Sequence, residues 1–330
     1  MTSASRGAQT DVARENTAAQ ELATQEIAAQ EAEAAALAVL PSQRQSIGRG
    51  VLWMLLTTLL FVCQDSLARI LVARHAPTEV AFARYLVHFL IVGAYLALRA
   101  PRLLVSRRPV AQIARSAFLC ANTILAIYCL QIMPFLDFSA VVWVAPVLVT
   151  ALSVVVLGEK VSLAGWISVF VGLAGVWIIV SSAGLSFSAL TILPLLAAVT
   201  NALYQIATRM LRTADEPATT LFYTSVAGVV FCLPFLPFFA TVPTRDSLAL
   251  MILLGAFGAA SHFCIIRAFS AAPANVIAPF GYTALVWASL SSVIVFAEIP
   301  TLRTMIGTAL IVAAGLAIFF GPRPDPKERA

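Results

Sequence analysis

Asp65 and Arg69 stand one helical turn apart in the run QDSLAR, and Arg84 and His88 stand one turn apart in FARYLVHFL. A spacing of four residues puts both members of a pair on one face of a helix. A guanidinium presents a planar fork of donors that matches a carboxylate or phosphate. A carboxylate can hold that fork in place, and an imidazole can exchange a proton near neutral pH. The chemistry on offer is capture and release of a polar solute, with no covalent step. Around these residues the sequence is almost wholly apolar, and an ionisable side chain at the centre of a membrane helix costs about 2.5–3.5 kcal/mol. Two readings stand here side by side. Asp65 and Arg84 could pair so that both survive in lipid, or Arg84 could bind an anionic or carbonyl group of a ligand while Asp65 holds it.

A second layer of polar residues lies near the middle of other apolar runs: Gln64 beside Asp65, Asn122, His262, and the pair Tyr204 and Gln205. Trp143, Tyr282 and Trp287 add aromatic surface. Each aromatic alone reads equally as packing or interfacial anchoring. Together the set suggests a cavity with aromatic walls and a few hydrogen-bonding groups, suited to a flat or amphipathic metabolite. No metal or cofactor is expected. The three histidines (His75, His88, His262) form no metal-binding pattern, and the five cysteines all fall inside apolar runs without CxxC spacing.

The elements that carry these residues follow from composition. The chain is 60% hydrophobic and 11% charged, against about 45–50% and about 25% in a soluble domain. Its solvent is therefore lipid, and a span needs about 20 apolar residues. Candidate spans lie near 50–72, 79–98, 111–131, 136–157, 162–181, 187–209, 218–240, 247–269, 274–297 and 302–320. The expected fold is an all-α integral membrane protein of ten transmembrane helices. Residues 1–46 are rich in Ala, Gln and Glu and read as a solvated, partly helical tail; 322–330 form a second tail. Arg44, Arg49, Arg99, Arg102, Arg107, Arg108, Arg115, Lys160, Arg209, Arg212, Arg267, Arg323, Lys327 and Arg329 would fall on one side, against Arg69, Arg74, Arg245 and Arg303 on the other. That bias places both termini in the cytoplasm. The net charge of +5 then reflects topology, and no nucleic-acid partner is needed.

The chain also repeats itself. A shift of 140 residues superposes Arg69 on Arg209, Pro77 on Pro217, Phe82 on Phe222 and Asn122 on His262. A shift of 139 superposes LGEKVSL on FAEIPTL and Glu159 on Glu298. The halves are 47–183 and 184–321. An odd number of helices per half makes the repeats inverted, an architecture common in secondary transporters, with the binding site at the repeat interface. Glu159 and Glu298 sit at helix ends and read as anchors of short turns. Pro146, Pro279 and Gly281 interrupt apolar runs that would otherwise continue. Freed backbone carbonyls are tolerated only where they face protein or a wet cavity, so these three are candidate hinges of a gating helix.

The runs VAPVLVTALSVVVLGEKVSLAGWISVFVGLAGVWIIV (144–180) and APANVIAPFGYTALVWASLSSVIVFAEIPTLRTMIGTALIVAAGLAIF (272–319) resemble the ten-helix EamA-type permeases of the drug/metabolite transporter superfamily. The shared pattern is a proline-containing helix, a Gly-Glu or Ala-Glu turn and a glycine-rich helix, once per half. Ala297 departs from it, since the family more often has glycine there. The resemblance implies two inverted five-helix EamA repeats in a bacterial inner membrane. It further implies a secondary active transporter working by alternating access on a small organic solute, vitamin-like or nucleoside-like, such as riboflavin or S-adenosylmethionine. A coupling proton or counter-substrate and a homodimer go with it. The alternatives are an exporter of amino acids or toxic, drug-like compounds and, more remotely, a membrane scaffold or lipid-modifying protein. An enzyme is not expected, because the short loops leave no room for a catalytic domain.

Overall fold

A computed structural model describes residues 46–158, 161–182, 189–211, 213–239, 241–272 and 277–320. The two tails, Glu159 and Pro273 lie outside the described residues, except that Ser46 opens the first helix. Among the described residues every regular element is helical. In chain order these are α1 (Ser46–Val72), α2 (Pro77–Arg99), α3 (Pro109–Ile132), α4 (Phe135–Val142), α5 (Ala145–Leu157), α6 (Leu163–Ser182), α7 (Ala189–Met210), α8 (Pro217–Cys232), α9 (Arg245–Ala271), α10 (Thr283–Ile294) and α11 (Leu302–Phe320). Seven helical segments are long and apolar enough to cross a membrane, with shorter apolar helices at Pro279–Ile294 and Leu302–Ile318. The count of ten spans expected from sequence is not reached on length and composition alone.

Prolines decide where the helices start and break. Pro77, Pro109 and Pro217 open α2, α3 and α8, where a missing N–H costs nothing because no intrahelical acceptor exists for it. The fourth run divides into α4 and α5 at Trp143–Val144, two residues before Pro146. The seventh is interrupted near its end: Pro234 and Pro237 turn it through a 3₁₀ segment, Leu233–Phe235, before helix resumes over Leu236–Phe239. The ninth opens as a 3₁₀ turn, Ala278–Tyr282, holding Pro279 and Gly281. It stops at Ile294, short of the expected residue 297.

Contacts between helix ends sort into two faces. On one, Arg69 of α1 forms a two-pronged ion pair with Glu298, and Glu298 also accepts the N–H of Phe135 at the start of α4, 2.9 Å away. On that face His75 meets Glu79 (3.0 Å), and both meet Thr241. On the opposite face Asp215 accepts hydrogen bonds from Ser106, from the Arg107 N–H and from Gln112, while Ser46 donates to the Ala271 carbonyl. Each face thus carries bonds that join the first half of the chain to the second.

Two of the interior seams between the halves are tied at close range. α6 packs extensively against α11. The approach requires glycine: a methyl group at Gly175 would lie 2.7 Å from the Gly307 carbonyl, and one at Gly307 would lie 2.6 Å from the Gly175 carbonyl. α1 runs beside α10 with Thr58 bonded to Thr283 (2.9 Å) and Ser66 to Ser291 (2.7 Å). Both bonds span 225 residues, so the two helices are parallel and in register.

The turn after α5 and the turn after α10 share a backbone feature. Gly158 has φ 68° and Ala297 has φ 53°, the latter being the single non-glycine residue with positive φ among the described residues. The shift of 139 superposes them. A Cβ in the left-handed region crowds the following carbonyl at a cost of roughly 1–2 kcal/mol, and Ala297 bears that cost where its repeat mate does not. Ala297→Gly is expected to stabilise the protein by about 1 kcal/mol, read as a rise in thermal midpoint in detergent; a lower midpoint would contradict the argument.

Asp215 gives a second test. Desolvation pushes its carboxyl up, but hydrogen bonds from Ser106, the Arg107 N–H and Gln112, aided by the Arg107 charge, hold it below the usual carboxylate range. A depressed value in the folded state gives stability that is present above the unfolded-state pKa and lost as pH falls through the folded one. Wild type should therefore lose more stability than Asp215→Asn when the pH drops below about 4. Unfolding curves of the two proteins that run parallel through that range would exclude the contribution.

Candidate functional site

The residues expected to bind solute come from helices that the two seams hold in place. Arg84 and His88 lie on α2, Gln64 and Asp65 on α1, and His262 on α9. Gly258, one turn before His262, is the meeting point. A methyl group there would sit 2.9 Å from Gln64 Oε1 and 4.0 Å from Arg84 Nε, so both side chains abut the bare α9 backbone. The His88 and His262 rings stack, 5.6 Å between centres and 27° between planes, and the Phe61 ring meets His262 edge-on at 5.5 Å. Beneath them Tyr85 is fully buried, and its hydroxyl is 2.7 Å from Thr123 Oγ1.

Asp65 lies within the electrostatic field of Arg84, yet no ion pair joins them within 4.0 Å. Among the described residues such pairs form at Arg69–Glu298 and His75–Glu79. Asp65, Arg84, Asn122 and His262 all remain partly exposed. Arg84, Gln64 and His262 converge on one stretch of α9, so the open surface near them faces the interior of the bundle. Two buried polar atoms of this cluster lack protein partners, Gln64 Oε1 and His88 Nε2; Asn122 Oδ1 on α3 and Trp287 Nε1 on α10 lack them too. An unpaired buried polar group costs about 1–3 kcal/mol. The two in the cluster mark a place where water or a ligand completes the bonding.

Not every candidate belongs to this cluster. Tyr282 packs on Trp143 (5.9 Å between ring centres) and against Gly315, where a methyl group would collide with its hydroxyl. Trp143 and Tyr282 are repeat mates at a shift of 139, so the break before Pro146 and the break at Pro279–Gly281 face each other. Gln205 is exposed and bonds Asn201 at 3.4 Å. Tyr204 stands under the Arg115 guanidinium at 5.0 Å. Glu298 sits in the end-face clamp with Arg69, while Glu159 lies outside the described residues.

Sequence reasoning placed Arg115 near one end of the third span and counted it with the cations of one side. It is 1% exposed, lies within α3 and is the largest fully buried side chain among the described residues. Its spacing of seven from Asn122, which puts the two on one face of α3, was the available signal. Asp137, buried at the start of α4 and bonded by Thr304 at 2.7 Å, was also missed; its position in the first helical turn explains its survival.

A model of the EamA-like transporter family matches residues 48–181 and again 188–320. The chain belongs to the EamA-like transporter family. Its two matches coincide with the two halves of the repeat, and it is a multi-pass membrane protein and a transporter, not an enzyme. The chain is 25% identical over 280 residues to an S-adenosylmethionine uptake transporter of Rickettsia prowazekii, covering 85% of this chain and 95% of that one. It is 28% identical over 243 residues to a riboflavin transporter of Brucella anthropi, covering 72% and 86%. A solved crystal structure shares the fold, with a TM-score of 0.58 at 19% identity over 84% of this chain and 98% of its own.

The geometry at Gly258 predicts a separation of stability from binding. In Gly258→Ala the new methyl meets the mobile end of Gln64, which can swing away, so stability should change by less than about 1 kcal/mol. The displaced amide then crowds Arg84. Affinity for the transported solute, measured by ligand-induced thermal shift, should fall several-fold; unchanged affinity would remove Gln64 and Arg84 from the binding surface.

Proposed function

We propose that this transporter is a secondary active carrier of a small organic metabolite, and that it works by alternating access around the layer formed by Gln64, Asp65, Arg84, His88, Asn122, His262 and Trp287. The observation that carries the reading is the meeting of Gln64 and Arg84 at Gly258 beside the stacked His88 and His262, where Gln64 Oε1 and His88 Nε2 have no protein partner. Arg84 anchors an anionic or carbonyl group, Asp65 sets its orientation, and the stacked His88–His262 pair with Trp287 provides surface for a flat ring. The facing breaks at Trp143–Val144 and Ala278–Tyr282 act as hinges. A proton on Asp65, or a counter-substrate, couples the cycle. The face carrying Arg99, Arg102, Arg107 and Arg108 is cytoplasmic, and the membrane is the bacterial inner membrane.

The relatives narrow the solute class. One is named for S-adenosylmethionine uptake and one for riboflavin; both solutes pair a flat heteroaromatic ring with polar groups. Of the two, S-adenosylmethionine carries a carboxylate for Arg84 and fits this layer better. Reconstituted into liposomes, wild type should accumulate labelled S-adenosylmethionine, and Arg84→Ala should reduce the initial rate at least tenfold while its thermal midpoint stays within a few degrees. Uptake of neither solute by wild type would overturn the solute class. Undiminished uptake by Arg84→Ala would return Arg84 to a packing role.

A further inference from the structure

Arg115 poses an electrostatic problem. It is fully buried within α3, and no carboxylate lies within 4.0 Å of it among the described residues. Its neighbours are neutral. Thr208 accepts from Nη1 at 3.2 Å, Ser116, Thr224 and the Thr220 carbonyl accept from Nη2, and the Tyr204 ring covers one face of the guanidinium. Nε has no acceptor, and one turn away the buried Gln112 Oε1 has no donor. Hydroxyls satisfy hydrogen bonds but leave the charge without a counter-ion in contact, which is costly for a buried ion; a carboxylate enters the network only one step further out, at Asp215, bonded by Gln112, which also bonds Thr220. Arg84 stands on α2, which packs against α3.

We propose that Arg115 is a second anion subsite of the translocation path, placed toward the face that carries Asp215, where it receives an oxyanion: the carboxylate or phosphate of a solute, or a free anion of that kind. It rests on the reading of the central layer as a transport site. Bidentate capture of an oxyanion suits a guanidinium with a free Nε–H, and the hydroxyls of Thr208, Thr224 and Ser116 hold the fork in place when it is empty. Arg84 and Arg115, on neighbouring helices, form a two-station route for an anionic group. The solute then carries at least one such group, which excludes purely cationic or neutral cargo as the preferred substrate.

The test uses the full chain in detergent micelles, with thermal unfolding followed in low-millimolar sodium acetate, acetamide, sodium phosphate and sodium chloride at matched ionic strength. Acetate or phosphate should raise the wild-type midpoint by several degrees, with little response to acetamide or chloride. Arg115→Gln should lose most of that response, Arg115→Lys should need at least tenfold more anion, and Arg84→Gln should keep a clear response. A response to acetate alone assigns the station to carboxylates, and one to phosphate alone to phosphate groups. Arg115→Met reads the unmet charge directly: its anion-free midpoint should equal or exceed that of wild type, because a site residue held against its own stability relaxes when removed. No anion response in wild type, or an equal one in Arg115→Gln, overturns the proposal, and so does an Arg115→Met that is markedly less stable than wild type. Loss of the anion response in Arg115→Gln, in a protein whose liposomes take up no solute, would sink the transport reading and leave the subsite standing.

Discussion

Hydrocarbon offers no water to a polar group, so each one in a spanning segment must find its partner inside the protein. That constraint explains the placement of prolines at helix starts, the hydroxyl pairs Thr58–Thr283 and Ser66–Ser291 between α1 and α10, and the many serine and threonine side chains bonded back to carbonyls one turn earlier. It also makes the exceptions informative. Gln64 and His88 break the rule beside Arg84 and His262, as Asn122 and Trp287 do on α3 and α10, and the chain retains them although apolar residues would pack there at no such cost.

The two end faces show what holds the bundle while that happens. Arg69, Glu298 and the Phe135 N–H tie α1, α4 and the turn before α11 on one face. Asp215 ties the connection between α2 and α3 to the one between α7 and α8 on the other. Both ties cross between the repeats. In the proposed alternating-access cycle they would not persist together in every state, whereas the α6–α11 crossing, with backbone in contact at Gly175 and Gly307, has no slack to give. On that reading motion belongs to the end-face bonds and the broken helices, and rigidity to the glycine seam.

Much of this was legible in the sequence because lipid makes the code simple. Length and hydrophobicity located nearly every helix, and a near-constant shift exposed a repeat; the family model likewise matches twice, over 48–181 and 188–320. The interior of each helix was less legible. Pro146 and Pro279 signalled breaks, but that the breaks face each other through Trp143 and Tyr282 depends on packing between halves 139 residues apart. Arg69 and Glu298 each looked like an end residue, and their pairing across 229 positions carries no local signature. Arg115 was hidden for a different reason: seven residues from a helix start, a cation looks like a loop residue snorkelling outward. Only the tertiary fold shows it pointing in.

The misreading of Arg115 bears on the chemistry of the whole path. Counting charge by side of the membrane treats every arginine near an end as a topological signal. A guanidinium sealed under Tyr204 contributes instead to the field inside the bundle. Among the described residues Arg84 and Arg115 stand against Asp65 and, reached only through Gln112 and Thr220, Asp215. On the proposed reading that balance would favour a solute bearing an oxyanion over a bare cation. The stacked His88–His262 surface would then select among such solutes by the flatness of the rest of the molecule. Charge and ring surface together describe a narrower cargo than either would alone.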